Sequence, residues 1–142
     1  MAGESDLDTL IATMRPELDP VTYVWASMQG LAAAGALIDA VATVREAEGW
    51  SLVLPIDAAS RHGLDFSFPS ARLTLTVESA LEAVGLTAAV ARALADAGIA
   101  ANVVAGFHHD HVFVPRERAA DAMAALAALT AGSWSSDVTE GE

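Results

Sequence analysis

Cysteine is missing from this chain, and lysine with it: the seven cationic side chains among its 142 residues are all arginine. Without thiols there are no disulfides, no cysteine-held zinc or iron–sulfur cluster and no thiol nucleophile. Without an ε-amine there is no Schiff base and no Walker lysine. Positive charge is scarce altogether, and the net charge is −12. Such a chain repels phosphate backbones and anionic membranes, which argues against nucleic-acid binding and membrane association. The opening Met1-Ala2-Gly3-Glu4-Ser5-Asp6 lacks the basic start and apolar stretch of a secretory signal. No run reaches the ~18 apolar residues of a membrane span; the longest suspect, Leu31 to Ile38, is rich in Ala and Gly and stops at Asp39. A soluble cytoplasmic protein is expected.

What the chain does have is apolar content, 54% of its residues, enough to fill one compact domain or two very small fused ones. Leu7, Leu10, Ile11 and Met14 recur at helical spacing after a loose tail over residues 1–4, with Ser5 as N-cap, and Pro16 and Pro20 end this element. Thr22 to Met28 reads as an interior strand, apolar on both faces. Gly30 and Gly35 bracket the approach to a helix with Leu37, Val41 and Val44 as its buried stripe and Asp39, Thr43 and Glu46 as its wet side, ended by Gly49. Ser51 to Leu54 is a short strand stopped by Pro55, and Ile56 to His62 a short helix closed by Gly63.

After a connector over Phe66–Pro69, Ala71 to Glu78 alternates strictly and predicts a half-buried strand. Leu86, Val90, Leu94 and Ala97 form a helical stripe closed by Gly98. Ala101 to Phe107 and His111 to Val114 form a hairpin turning at His108-His109-Asp110. Pro115 starts a last helix that buries Ala119, Ala122, Met123, Leu126 and Leu129. The tail from 131 on is polar apart from Trp134.

Ser51-Leu52-Val53-Leu54-Pro55 and His111-Val112-Phe113-Val114-Pro115 each precede a helix and follow a strand and a helix, a weak internal repeat. Their spacing suits one small βαββαβ unit, although the first copy reads one strand short. The expectation is α+β: two fused, strand-sharing ferredoxin-like halves, with antiparallel sheets and helices on one face. The halves run over 21–69 and 70–130, after an N-terminal helix and tail over 1–20 and before a flexible tail over 131–142.

The stretch Glu82-Ala83-Val84-Gly85-Leu86-Thr87-Ala88-Ala89-Val90, then Leu94-Ala95-Asp96-Ala97-Gly98-Ile99, resembles the core signature of ACT domains: strand, Gly-containing loop, and a helix ending near a Gly-Ile pair. The hairpin from Asn102 to Pro115 is similar to the ACT segments of aspartate kinases and of the cytosolic arginine sensors of animals. Residues from about Arg72 to Leu129 carry the specific part; the N-terminal half matches more loosely. The whole resembles a bacterial group of small, stand-alone paired ACT-like proteins. The resemblance implies an amino acid held where two ACT units meet, a regulatory or sensing role without catalysis, no cofactor, and a homodimer made edge to edge.

A helix N-terminus exposes free N–H groups and attracts carboxylates, so Val84, Gly85, Leu86 and Thr87 are candidates to hold an α-carboxylate; Gly85 could equally serve only the turn. Glu78 and Glu82 precede the helix and could pair with a ligand ammonium or guanidinium, or merely favour the helix start. In the resembling arginine sensors an acidic hairpin residue touches the ligand side chain, and Asp110 stands at that position. The same resemblance makes Asn102 to Phe107, with Asn102 and Gly106, a pocket wall. A polar, solvated turn remains the alternative for Asp110, and backbone bonding for Asn102.

His108, His109 and His111 invite a zinc or nickel site. Neighbours on an extended hairpin point to opposite faces, however, and the only other histidine is His62, so no metal is expected. Ser51, Ser60 and Ser79 lack a nucleophile-elbow motif. Gly30 to Gly35 imitates a phosphate loop but is followed by Ala36. Trp25, Trp50 and Trp134 read as core or interface anchors. A ligand-free protein-interaction module and a His-cluster metal enzyme are the alternatives to an amino-acid binder.

Overall fold

The computed structural model describes residues 6–30, 34–77 and 80–133. Ser5, Glu78, Ser79 and Trp134, together with most of the tail, lie outside them. Among the described residues six strands form one antiparallel sheet. In chain order the elements are α1 (Leu7–Thr13), β1 (Pro16–Met28), α2 (Ala34–Asp39), β2 (Ala42–Glu46), β3 (Gly49–Pro55), α3 (Ile56–Arg61), β4 (Phe66–Leu75), α4 (Leu86–Asp96), β5 (Asn102–Ala105), β6 (Asp110–Pro115) and α5 (Ala119–Ala128). The spatial order is β2-β3-β1-β4-β6-β5.

That order contains two overlapping βαββαβ units. β1, β2, β3 and β4 form one, with α2 and α3 as its helices. β4, β5, β6 and the N-terminal part of β1 form the other, with α4 and α5. Each long central strand therefore opens one unit and completes the other. The registers repeat as well: Tyr23 faces Pro55 and Trp25 faces Val53, as Ser70 faces Pro115 and Arg72 faces Phe113. The strand missing from the first copy in the sequence pattern is β2. Its residues were expected to continue a helix from Leu37 through Val44, but α2 stops at Asp39 and Ala42–Glu46 pairs with β3. Val41, Thr43 and Val44 are β-branched and favour the pleated conformation.

The prolines correct two further expectations. Pro16 opens β1 and Pro20 lies inside it, while Phe66–Pro69, read as a connector, is the start of β4. Register shifts fall between Leu18 and Thr22 and between Tyr23 and Trp25. A bulge leaves a residue out of the ladder, so proline's missing N–H does no harm there. Phe68, beside Pro69, takes φ 59 at the second shift. At the far end β4 stops at Leu75 rather than running to Glu78. The cap of α1 is Asp6, whose carboxylate accepts from the Thr9 N–H (3.0 Å) and hydroxyl (2.7 Å).

All helices cover one face. Leu73, Leu75, Val112 and Val114 pack there against Leu10, Met14, Val90, Leu94 and Leu126, and Val24, Leu52 and Leu54 against Ala36, Ala58 and Ala59. Ala97, expected in the buried stripe of α4, is its exposed C-cap. The opposite face is aromatic. Phe113 makes T-shaped contacts with Tyr23 (centroids 5.9 Å apart) and Trp25 (5.1 Å), and Trp25 meets Phe68 (5.4 Å). Ala42 from one outer strand and Val104 from the other pack on this cluster. In a flat sheet those strands would stand roughly 24 Å apart, five spacings of ~4.8 Å. The sheet is therefore rolled, and its two edges approach each other across a concave aromatic face.

Next to this cluster a charged group locks β1 to β4. Arg72 Nη2 donates to Asp19 Oδ2 (2.8 Å) and to the Tyr23 hydroxyl (3.1 Å), Tyr23 donates to the same carboxylate (2.7 Å), and the guanidinium lies 4.9 Å over the Tyr23 ring. Burial alone would raise the Asp19 pKa, but the bonds from Tyr23, the Val21 N–H and Arg72 hold it below the ordinary value. Burial first, and then the bond to Asp19, push the Tyr23 phenol up to about 12. Tyr23 is the single tyrosine, so tyrosinate absorbance should titrate with a midpoint near 12 rather than 10. Since the folded pKa is the higher one, the stability from the phenol is whole below pH 10 and fades as pH rises through about 12. A midpoint at 10 would mean that the phenol is not engaged with Asp19.

Candidate functional site

α4 begins at Gly85, whose φ of 105° is left-handed and cheap only for glycine; a Cβ there would come within 2.8 Å of Leu7. The first-turn N–H groups, those of Leu86 and Thr87 among them, have no intrahelical acceptor, and no side chain among the described residues caps this end. The neighbouring hairpin turns through Phe107 and His108, with the Gly106 N–H bonded to the His109 carbonyl (2.8 Å). A Cβ on Gly106 would meet that carbonyl at 2.9 Å. Helix end and hairpin enclose a cavity of about 120 Å³, lined by Ala80, Leu81, Ala83, Gly85, Leu86, Thr87, Ala105, Gly106 and Asp110.

Asp110 is half-buried, and burial raises its pKa, with the charge of His109 opposing the rise. The cavity thus sets the partial positive charge of a helix end against a carboxylate short of solvent and of a full partner. Each complements one end of a zwitterion.

Five of the seven residues singled out from sequence line this cavity: Gly85, Leu86, Thr87, Gly106 and Asp110. Val84 lies outside the lining and is 82% exposed. Asn102 is not part of it either: it pairs with Phe113 at the far end of β5 and belongs to the concave face. The wall contribution of Leu81 and Ala83 was not read from sequence, because loop residues carry no periodicity. Glu82 is exposed; Glu78 lies outside the described residues. The histidines do not converge. His111 Nδ1 bonds Thr74 Oγ1 (2.9 Å), His62 bonds Asp39 (2.8 Å), and the rings of His108 and His109 stand 6.3 Å apart. No group of three His or carboxylate side chains suited to a metal is found among the described residues.

The first unit differs at the corresponding place. Trp50 precedes Ser51 as Asp110 precedes His111, and Trp50 is covered by Arg45 at 4.9 Å. An indole under a guanidinium replaces the carboxylate.

Two interleaved βαββαβ units with a cavity at a helix start define a paired ferredoxin-like protein. The ACT-domain family matches residues 2–71 and again residues 68–128, and the chain belongs to that family, whose domains are regulatory. A Vibrio cholerae protein of unknown function, described as a possible transport protein, is 44% identical over 87% of this chain and 95% of its own, with a TM-score of 0.78. An Agrobacterium tumefaciens protein is 22% identical over 82% of this chain and 90% of its own (TM-score 0.63). The regulatory subunit of Thermus thermophilus aspartate kinase is 16% identical over 82% of this chain and 97% of its own (TM-score 0.59). These last two show likeness of fold. Comparison with curated proteins gives no match. No helix among the described residues is long and apolar enough to cross a membrane.

Proposed function

We propose that this chain is a non-catalytic cytoplasmic regulator that binds a free amino acid at the start of α4. The observation that carries the reading is the pairing, in one small cavity, of the uncapped helix end with Asp110. The α-carboxylate is received by the N–H groups of Leu86 and Thr87, and the ammonium or a cationic side chain by Asp110. At about 120 Å³ the cavity holds only the polar head of such a ligand, against the several hundred Å³ of a complete small-molecule pocket. Leu81, Val84 and Phe107 stand exposed around it, at 64, 82 and 74%. An apolar rim of this kind favours a second copy of the chain closing the site, so the active species is a homodimer. The same rim keeps a docking module without ligand as the competing reading.

A thermal-shift screen of the twenty amino acids decides between them. A true ligand at 100 times its Kd adds about 2.7 kcal/mol of stability, a shift of several degrees. The shift should vanish in Gly85→Val, which fills the helix start. No shift with any amino acid rejects the reading; a dimer that forms regardless of amino acids then supports the docking module.

A further inference from the structure

On the concave side of the sheet lies a larger cavity, about 280 Å³, lined by Val41, Ala42 and Thr43 from one edge, Val104, Ala105 and Gly106 from the other, and Arg72, His111 and Phe113 from the floor. It exists because the sheet is rolled. We propose that it is a second ligand site, distinct from the one at α4, and that it takes a small monocarboxylate with an apolar body.

The polar end is set by two side chains. Arg72 is fixed through Nη2 by Asp19 and Tyr23; its Nε is buried, and no hydrogen bond among the described residues uses Nη1. Nη1 is the donor left for an acceptor in the cavity that this side chain lines. His111 spends Nδ1 on Thr74. Its Nε2 lies toward Gly106, near enough that a Cβ there would stand 3.4 Å away. Burial, then the charges of Arg72 and His109, lower the His111 pKa, so the ring serves as a neutral hydrogen-bonding group and adds no charge. Asp19 already offsets part of the guanidinium charge, which leaves enough for a monoanion and too little for a phosphate dianion. Val41, Val104 and Phe113 supply the apolar wall. In the first unit, Trp25 and Ser51 occupy the places of Arg72 and His111, so the anion-binding pair is confined to one end of the concave face.

Asp110 and His111 are neighbours on β6 and so face opposite sides of the sheet, one toward each cavity, and both cavities share Ala105 and Gly106. The sites are back to back across one hairpin.

Benzoate and its uncharged isostere benzamide probe the proposal on the intact chain by NMR, whether or not the α4 site binds amino acids. Benzoate should shift the Arg72 guanidinium and the His111 imidazole signals while leaving the Leu86 and Thr87 amides in place, and benzamide should bind about tenfold more weakly or worse. Val41→Trp fills the cavity from its partly exposed rim without touching the Asp19–Arg72–Tyr23 group. It should abolish the benzoate shifts while the rest of the amide spectrum is retained. Absence of shifts at Arg72 and His111, equal binding of benzamide, shifts confined to Leu86 and Thr87, or undiminished binding by Val41→Trp would each overturn the assignment.

Discussion

Phe113→Ala is expected to lower the unfolding free energy by about 3–5 kcal/mol and the melting temperature by roughly 10–20 °C. Phe113, on β6, is 1% exposed and makes T-shaped contacts with both Tyr23 and Trp25. The ring is therefore the contact through which β6 and β1 meet on the concave side, although β4 separates them in the sheet. Its loss removes the transfer energy of one aromatic side chain and two edge-to-face contacts, each worth ~0.5–1.5 kcal/mol, and opens a hole that two bulged central strands cannot easily close. Phe113→Leu, which keeps most of the volume, should cost much less, on the order of 1.5 kcal/mol. Urea unfolding of the three proteins tests this. Equal losses in the two variants would show that ring contacts, not volume, carry the effect; losses under 1 kcal/mol would show that the rolled sheet does not depend on this cluster.

Asp110→Asn should act with opposite signs on stability and on binding. Burial raises the pKa of this carboxyl above its ordinary 3.8, so its contribution to stability is complete below that pH and is lost as pH rises through the higher folded-state value. At neutral pH the charged form is a burden, and the asparagine variant should be the more stable protein; at pH 3 the two should converge. Binding should go the other way. Removing one side of a charge-assisted bond weakens affinity roughly 10- to 100-fold, and wild-type binding should itself weaken in acid as Asp110 takes up a proton. Thermal melts at pH 3 and 7 and calorimetric titration with the amino acid from the screen measure both. A variant that is less stable at pH 7, with unchanged affinity, would place Asp110 in a structural role and remove it from the site.

The parts of this fold that were legible in the sequence are those in which burial dictates the pattern. Ala71, Leu73 and Leu75 alternate because one face of β4 is packed and the other is not, and Leu86, Val90 and Leu94 recur because one stripe of α4 is buried. β2 is illegible in the sequence for the complementary reason. It is an edge strand, exposed over Thr43–Glu46, so nothing forced its residues into alternation, and Leu37, Val41 and Val44 matched a helical period by accident. In sequence Pro20 and Pro69 signal breaks, because a strand excludes proline unless it bulges, and a bulge depends on the partner strand. Residues of the candidate site close to one another in sequence, such as Gly85 to Thr87, could be grouped from the family resemblance. Leu81 and Ala83 could not, nor could the removal of Asn102 to the other face, which follows from β5 pairing Asn102 with Phe113 and Ala105 with Asp110.

The exchange of central strands has a kinetic consequence. Neither unit owns a complete set of strands: the second needs the start of β1 beside β4, and the first needs the start of β4 beside β1. Residues such as Glu17 and Thr74 must meet before the second unit is whole, so loop closure spans about two fifths of the chain. Such a topology folds slowly for its size and in a single cooperative step. It also denies the nascent chain a stable halfway point on the ribosome, because a fragment ending before β4 lacks one of the two strands that flank β1.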